Sequence, residues 1–282
     1  MKRKGRSRMI HIIIGVFLII AGALVIWFNI SYSALKKQFG KDIERLTKEN
    51  RLETAGESFT EKDFEHLPEA IQKYLKNSGY IGKEKMSCLK MEYKDVNFRT
   101  GQKGAKLKMD YTQYNFVKEP CRMALNDASM FGVPFQGYDY YENGKGGMKG
   151  VIGKLITLFD ETGDEMDKAC LVTFLAESLF VPTVLLQDYV TFEQISDHEV
   201  KGTITFKGKT VSGVFTFNEK YEMVSFTTTD RKDDKTPWTA ICSDYEVSEN
   251  GIKLPKVFKA VWNFPDEDFV YFDGKISSVT YL

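Results

Sequence analysis

The chain has 282 residues, and its 39 lysines and arginines are balanced by 39 aspartates and glutamates. Five of those cations, Lys2, Arg3, Lys4, Arg6 and Arg8, lie in the first eight residues, so everything beyond them is mildly acidic. That excludes the clustered basic surface on which nucleic-acid binding rests.

Residues 1–8 are a basic tail, expected in the cytoplasm, and the next charged residue after Arg8 is Lys36. Between them Met9 to Ile30 is an apolar run of 22 residues. As a helix rising about 1.5 Å per residue it spans roughly 33 Å, enough to cross a hydrocarbon core of about 30 Å. The excess of cations on its N-terminal side predicts a single-pass cell-membrane protein with a cytoplasmic N-terminus and an extracytoplasmic C-terminal domain. A cleaved signal peptide is the alternative, since Ser31-Tyr32-Ser33-Ala34 offers small residues, but an apolar core of about 7–15 residues is usual for one.

Residues 31–59 follow as a polar juxtamembrane stalk, with Leu35, Phe39, Ile43 and Leu46 at helical spacing. The exported domain, residues 60–282, opens with Thr60 and Asp63 at the spacing of a helix cap, Pro68 in a first turn and Gly79 as a stop. After Gly82 the period becomes two. Leu89, Met91 and Tyr93 alternate with Lys90, Glu92 and Lys94, and residues 105–112 alternate in the same way, as in a sheet with one wet face. Glu142-Asn143-Gly144 reads as a tight turn.

Residues 164–180 read as a helix, with Met166, Cys170, Phe174 and Leu175 near helical spacing and carboxylates in the first turn, ended or kinked at Val181-Pro182. Tyr189 to Asp230 supplies further strands, divided at Ser196-Asp197, Lys207-Gly208 and Asn218-Glu219. A last block starts at Trp238 and contains Asn250-Gly251, a hairpin signal. The expected class is α+β: a membrane helix, then a mostly antiparallel, curved sheet covered by a few helices.

Little in the chain points to catalysis. Residues 144–150 are glycine-rich but carry Lys149 where a dinucleotide fingerprint needs glycine, and Gly208-Lys209-Thr210 has Thr203 in place of the Walker glycine. The Ser33/Lys36 and Ser87/Lys90 pairs have the spacing of a serine–lysine nucleophile; the first lies at the membrane, and the second lies on a strand where positions three apart face opposite ways. Acidic clusters at Asp160–Asp167 and Asp266–Asp268 keep a carboxylate-dependent hydrolase open as an alternative. No metal ligands, cofactor or catalytic residues are expected. Cys88, Cys121, Cys170 and Cys242 leave two disulfides or four free thiols open.

Several short segments together resemble an uncharacterised bacterial family, a domain of unknown function. They are Leu67-Pro68-Glu69, Tyr138-Asp139-Tyr140 with Gly144 and Gly146, Leu175-Ala176-Glu177 with Pro182-Thr183, and Thr236-Pro237-Trp238 with Asp244-Tyr245, Leu254-Pro255 and Trp262. Phe180 and Phe192 stand where relatives tend to carry Trp. By fold-level analogy the resemblance implies a half-barrel similar to that of lipoprotein carriers and envelope stress sensors, which hold acyl chains. The function expected on these grounds is non-catalytic binding of a lipid or another apolar envelope ligand. Phe174, Phe180, Trp238, Tyr245 and Trp262 are the expected cavity lining, with Glu177 orienting a polar head group. The partners expected are the bilayer, through residues 9–30, and that ligand. An envelope protein bound by a sensor-like module on its stalk is the alternative.

Overall fold

The structure is a computed structural model and describes residues 2–51, 56–130 and 132–282, with side chains described from Ser7 onward. Helix α1 (Lys2–Asn29) carries the apolar run; among the described residues it belongs to the one helix long and apolar enough to cross a membrane, and from Ser7 onward its side chains lie almost entirely exposed. Helix α2 is Ala34–Glu49, and a single helical turn at Glu61–Phe64 precedes α3 (Glu69–Asn77). Six strands follow: β1 (Cys88–Arg99), β2 (Lys106–Phe116), β3 (Cys121–Met130), β4 (Val133–Glu142), β5 (Lys145–Ile152) and β6 (Ile156–Thr162). Helix α4 (Asp164–Glu177) then leads through short turns at 178–180 and 182–186 into β7 (Val190–Ser196), β8 (Glu199–Phe206), β9 (Lys209–Phe217) and β10 (Met223–Thr228). The last three strands are β11 (Trp238–Val247), β12 (Lys253–Asn263) and β13 (Asp268–Tyr281).

All thirteen strands form one curved antiparallel sheet, ordered β6-β5-β4-β3-β2-β1-β13-β12-β11-β10-β9-β8-β7. Two meanders, 88–162 and 190–281, are thus joined by pairing the first strand with the last, Leu89 opposite Tyr281 and Phe98 opposite Phe272. Irregular register at Tyr93/Val96, where Asp95 takes φ 51°, and at Ala260/Val261 marks β-bulges on strands near this seam. Bulges of this kind bend a strand and raise its local twist.

The concave face is filled by α3, α4 and the turns after α4, over a core that includes Tyr74, Leu75, Phe174, Phe180, Phe215, Phe226 and Trp238. The Thr60–Asp63 signal does form a capping box, but on the isolated turn; α3 starts separately behind Pro68. Gly79, at φ 79°, stops α3 in the left-handed region that glycine enters freely.

Helix α4 sits directly on β5. A Cβ on Gly146 would lie 2.9 Å from the Met166 carbonyl oxygen and 2.9 Å from Cys170 Sγ, so only glycine lets the two backbones meet there. The glycine-rich run 144–150 is therefore a turn and a strand seated under a helix.

Residues 34–49, expected as part of a stalk, are docked on the convex face of β2–β4. Leu35, Phe39 and Leu46 pack against Phe116, Met123 and Tyr138. Polar clamps run along the same helix: Lys36 to Asp127 at 2.5 Å, Tyr138 donating to Asp42 at 2.8 Å, and Arg45 bidentate on Glu142 at 2.8 and 2.9 Å. Residues 52–55 of that segment lie outside the described residues.

Candidate functional site

On the concave face a cavity of about 250 Å³ lies between α4 and the strands around the seam. Alternation along β1 and β2 turns Tyr93, Met109, Tyr111 and Gln113 inward; α4 supplies Met166, Ala169, Cys170, Thr173 and Glu177. Trp238, Trp262 and Tyr271 close the opposite wall. Trp238 and Trp262 are direct cross-strand partners, Trp238 Nε1 donates to Tyr271 Oη at 3.1 Å, and the Trp262 and Tyr271 rings stack with centroids 6.4 Å apart.

The floor is ionic. Glu177, 2% exposed, accepts from Asn115 Nδ2 at 2.8 Å and from Arg122 Nε and Nη2 at 2.9 and 3.2 Å. Arg122, 7% exposed, also donates to Tyr111 Oη and Gln113 Oε1. Burial alone would push the Arg122 guanidinium down, but Glu177, Tyr111 and Asp139 outweigh it and hold it well above its ordinary range. A charge pair taken out of water persists only when its remaining donors and acceptors are met in this way.

Three polar groups are left facing the cavity, Asn126, Asp139 and Arg231, and among the described residues Asn126 Oδ1 has no hydrogen-bond partner. Asp139 on β4 is half-buried with its Oδ1 sealed from solvent; burial raises its carboxyl above the ordinary range despite the nearby charges of Arg122 and Arg231, and among the described residues that Oδ1 has no hydrogen-bond partner. Arg231, in the loop before β11, uses Nη1 on the Ala169 carbonyl oxygen and the Thr173 hydroxyl while its guanidinium lies 4.6 Å from the Trp238 ring centre and 5.9 Å from that of Trp262. An apolar enclosure with a carboxyl group and a cation among its polar groups suits an amphipathic molecule.

Of the six residues expected at a site, Glu177, Trp238 and Trp262 line this cavity together. Phe174 and Phe180 lie in the closed core behind it, Phe180 edge-on to Phe258, and Tyr245 donates to the Met223 carbonyl oxygen at 2.8 Å away from the cavity. Arg122 and Arg231 were not read from the sequence. An arginine between Cys121 and Met123 on a strand buried on both faces was the available signal for the first; the loop position of Arg231 offered none. All four cysteines are free thiols, and burial pushes Cys170, the one on the cavity wall, up to about 12.

A second groove, polar and about 470 Å³, runs beside the C-terminal end of α1, bordered by Phe28, Ile30, Lys36, Asp127 and Lys154. Met109 borders both this groove and the cavity.

No match was found among proteins of curated function. Among solved structures the chain is similar to a domain from Vibrio parahaemolyticus described as an outer membrane lipoprotein-sorting protein, at 11% identity and a TM-score of 0.42, over 76% of this chain and 91% of that one. The model of a family of unknown function, DUF6544, matches residues 57–274, and the chain belongs to that family.

Proposed function

We propose that the protein is a single-pass membrane protein, N-terminus in the cytoplasm, whose extracytoplasmic domain binds a lipid or other amphipathic envelope molecule without chemical conversion. The observation that carries this reading is the cavity: aromatic and methionine walls, with Asn126, Asp139 and Arg231 as polar groups not consumed by the Arg122–Glu177 pair. Met109, shared with the groove at the end of α1, sets the cavity one side chain away from where a membrane span would leave the bilayer. At about 0.8 kcal/mol per buried methylene, an eight-carbon chain supplies roughly 6 kcal/mol before the costs of association.

The test is native mass spectrometry of the full chain released from membranes in detergent, followed by solvent extraction. A defined lipid retained by the wild type and lost on Ala169→Phe, which fills the cavity from α4, supports binding; equal lipid on both proteins refutes it.

A carboxylate-dependent hydrolase draws on the presence of Asp139 and Glu177 in one cavity with unequal environments. Against it, both oxygens of Glu177 are held by Arg122 and Asn115. Asp139→Asn separates the readings, since a hydrolase would then accumulate unconverted substrate that the wild type does not hold, while a carrier would show no species absent from the wild type.

A further inference from the structure

The β5–β6 hairpin carries a surface that the fold itself does not use. Leu155, Ile156 and Leu158 are 70%, 63% and 53% exposed, three large aliphatic side chains within four residues on the edge strand of the sheet. Single exposed apolar residues are ordinary, but a cluster on an unpaired edge marks either a partner or an aggregation hazard.

The residues just before the cluster tie it to the end of α1. Trp27 Nε1 donates to the Gly153 carbonyl oxygen at 2.8 Å, and a Cβ on Gly153 would touch the Phe28 ring at 3.6 Å. Lys154, buried and at φ 65°, donates from Nζ to the carbonyl oxygens of Trp27, Phe28 and Ile30 at 3.1, 2.9 and 2.6 Å. The last carbonyls of a helix have no intrahelical donor, and a cation there also meets the negative end of the dipole. The hairpin thus caps the apolar helix at its final turn.

From these contacts we propose that the hairpin tip is a second membrane contact, with Leu155, Ile156 and Leu158 seated in the interfacial layer of the leaflet from which α1 emerges. The inference rests on the reading of α1 as a membrane span. Depth selects lipid as the occupant. Trp27 and Tyr32, ring centres 6.4 Å apart, form an aromatic pair of the kind that sits at the headgroup level. Consecutive Cα atoms are about 3.8 Å apart, so Leu155 and Ile156 lie within roughly 8 Å of Lys154, about the depth of one headgroup layer. Polarity runs the same way along β6. Ile156 and Leu158 come first, and Asp160 and Glu161 follow about 7–10 Å beyond Leu158 at 3.3 Å per residue, on the side away from the lipid, where carboxylates are hydrated. The domain is then held at two points, which fixes its tilt on the membrane.

The test uses the full chain in nanodiscs of phosphatidylethanolamine and phosphatidylglycerol, with an environment-sensitive fluorescent amino acid at Ile20, Leu155 or Val247 and a quencher carried on lipid chains near the headgroup or near the bilayer centre. Val247 is exposed at the end of β11, at the opposite end of the sheet from the β5–β6 hairpin. Leu155 is expected to be quenched several-fold more than Val247, and more by the shallow quencher than by the deep one, with Ile20 showing the reverse depth preference. Quenching at Ile20 with Leu155 no different from Val247 overturns the hairpin contact and leaves the span intact. No quenching at Ile20 removes the span and the hairpin contact with it.

Discussion

Replacing Arg122 with methionine is expected to be among the most destabilising changes available in this chain. The substitution keeps much of the side-chain volume but leaves Glu177, 2% exposed, with Asn115 as its remaining donor, and removes donors from Tyr111 and Gln113. Stranding one member of a buried ion pair costs about 3–5 kcal/mol. For a chain of this size each kcal/mol moves Tm by roughly 2–4 °C, so a loss on the order of 10 °C is expected. The paired change Arg122→Met/Glu177→Leu removes the stranded charge and should cost less than Arg122→Met alone, although the Asn115 amide then loses a partner worth about 1 kcal/mol. Thermal unfolding of the full chain in detergent, followed by circular dichroism and by tryptophan fluorescence, measures both. If Arg122→Met loses less than about 1 kcal/mol, or if the double variant loses the sum of the single ones, the pair is not the internally neutralised floor described above.

Gly146→Val places carbon against the Met166 carbonyl oxygen and Cys170 Sγ and must lift α4, at a cost of about 1–3 kcal/mol in chemical denaturation; an unchanged midpoint would show that α4 is not seated on β5. Asp167 is driven up by burial but held below the ordinary carboxylate range by the Gly146 amide at 2.7 Å and by Lys209 and Lys145. Its contribution is present above the unfolded pKa of about 3.9 and is lost as pH falls through the lower folded value. Asp167→Asn should therefore cost about 1–3 kcal/mol at pH 7 and progressively less below about pH 4, and a penalty independent of pH would refute the charge assignment. Cys170, with its thiol pushed up to about 12, should react with iodoacetamide far more slowly than a free cysteine at pH 8, more slowly still when a ligand fills the cavity, and normally after unfolding.

What was legible in the sequence followed burial on one face. Strands β1 and β2 bury Leu89, Met91 and Tyr93, or Leu107, Met109 and Tyr111, against polar neighbours, so their period shows. Strand β3 is covered by α4 on one side and α2 on the other, and Cys121 to Ala124 are all buried, which erases the alternation. Helix α4 was legible from its spacing and first-turn carboxylates, but the burial of Asp167 and Glu177 with its apolar residues leaves no clean polar stripe to show which face meets the sheet. The floor of the cavity joins Glu177 to Arg122 across 55 residues, and Asp139 meets Arg231 only through the curl of the sheet. Local spacing carries no trace of either. The amphipathic face of α2 was read correctly as a helix, but its docking was invisible because the receiving surface, Phe116, Met123 and Tyr138, is assembled from three strands.

The pairing of β1 with β13 at the middle of the sheet has a consequence for how the protein acquires its structure. The two meanders can each zip up locally, hairpin by hairpin, but they join only through a strand at residues 268–281 meeting one at 88–99. Closing so long a loop is entropically costly, so the seam is expected to form late in folding, after the local hairpins. Until it forms, β1 and β12 each present an open edge, and a chain that stops short of β13 leaves two half-sheets with a shared cavity wall missing. The last strand therefore completes both the sheet and the cavity wall, since Tyr271 and Phe272 reach the cavity only when it has docked.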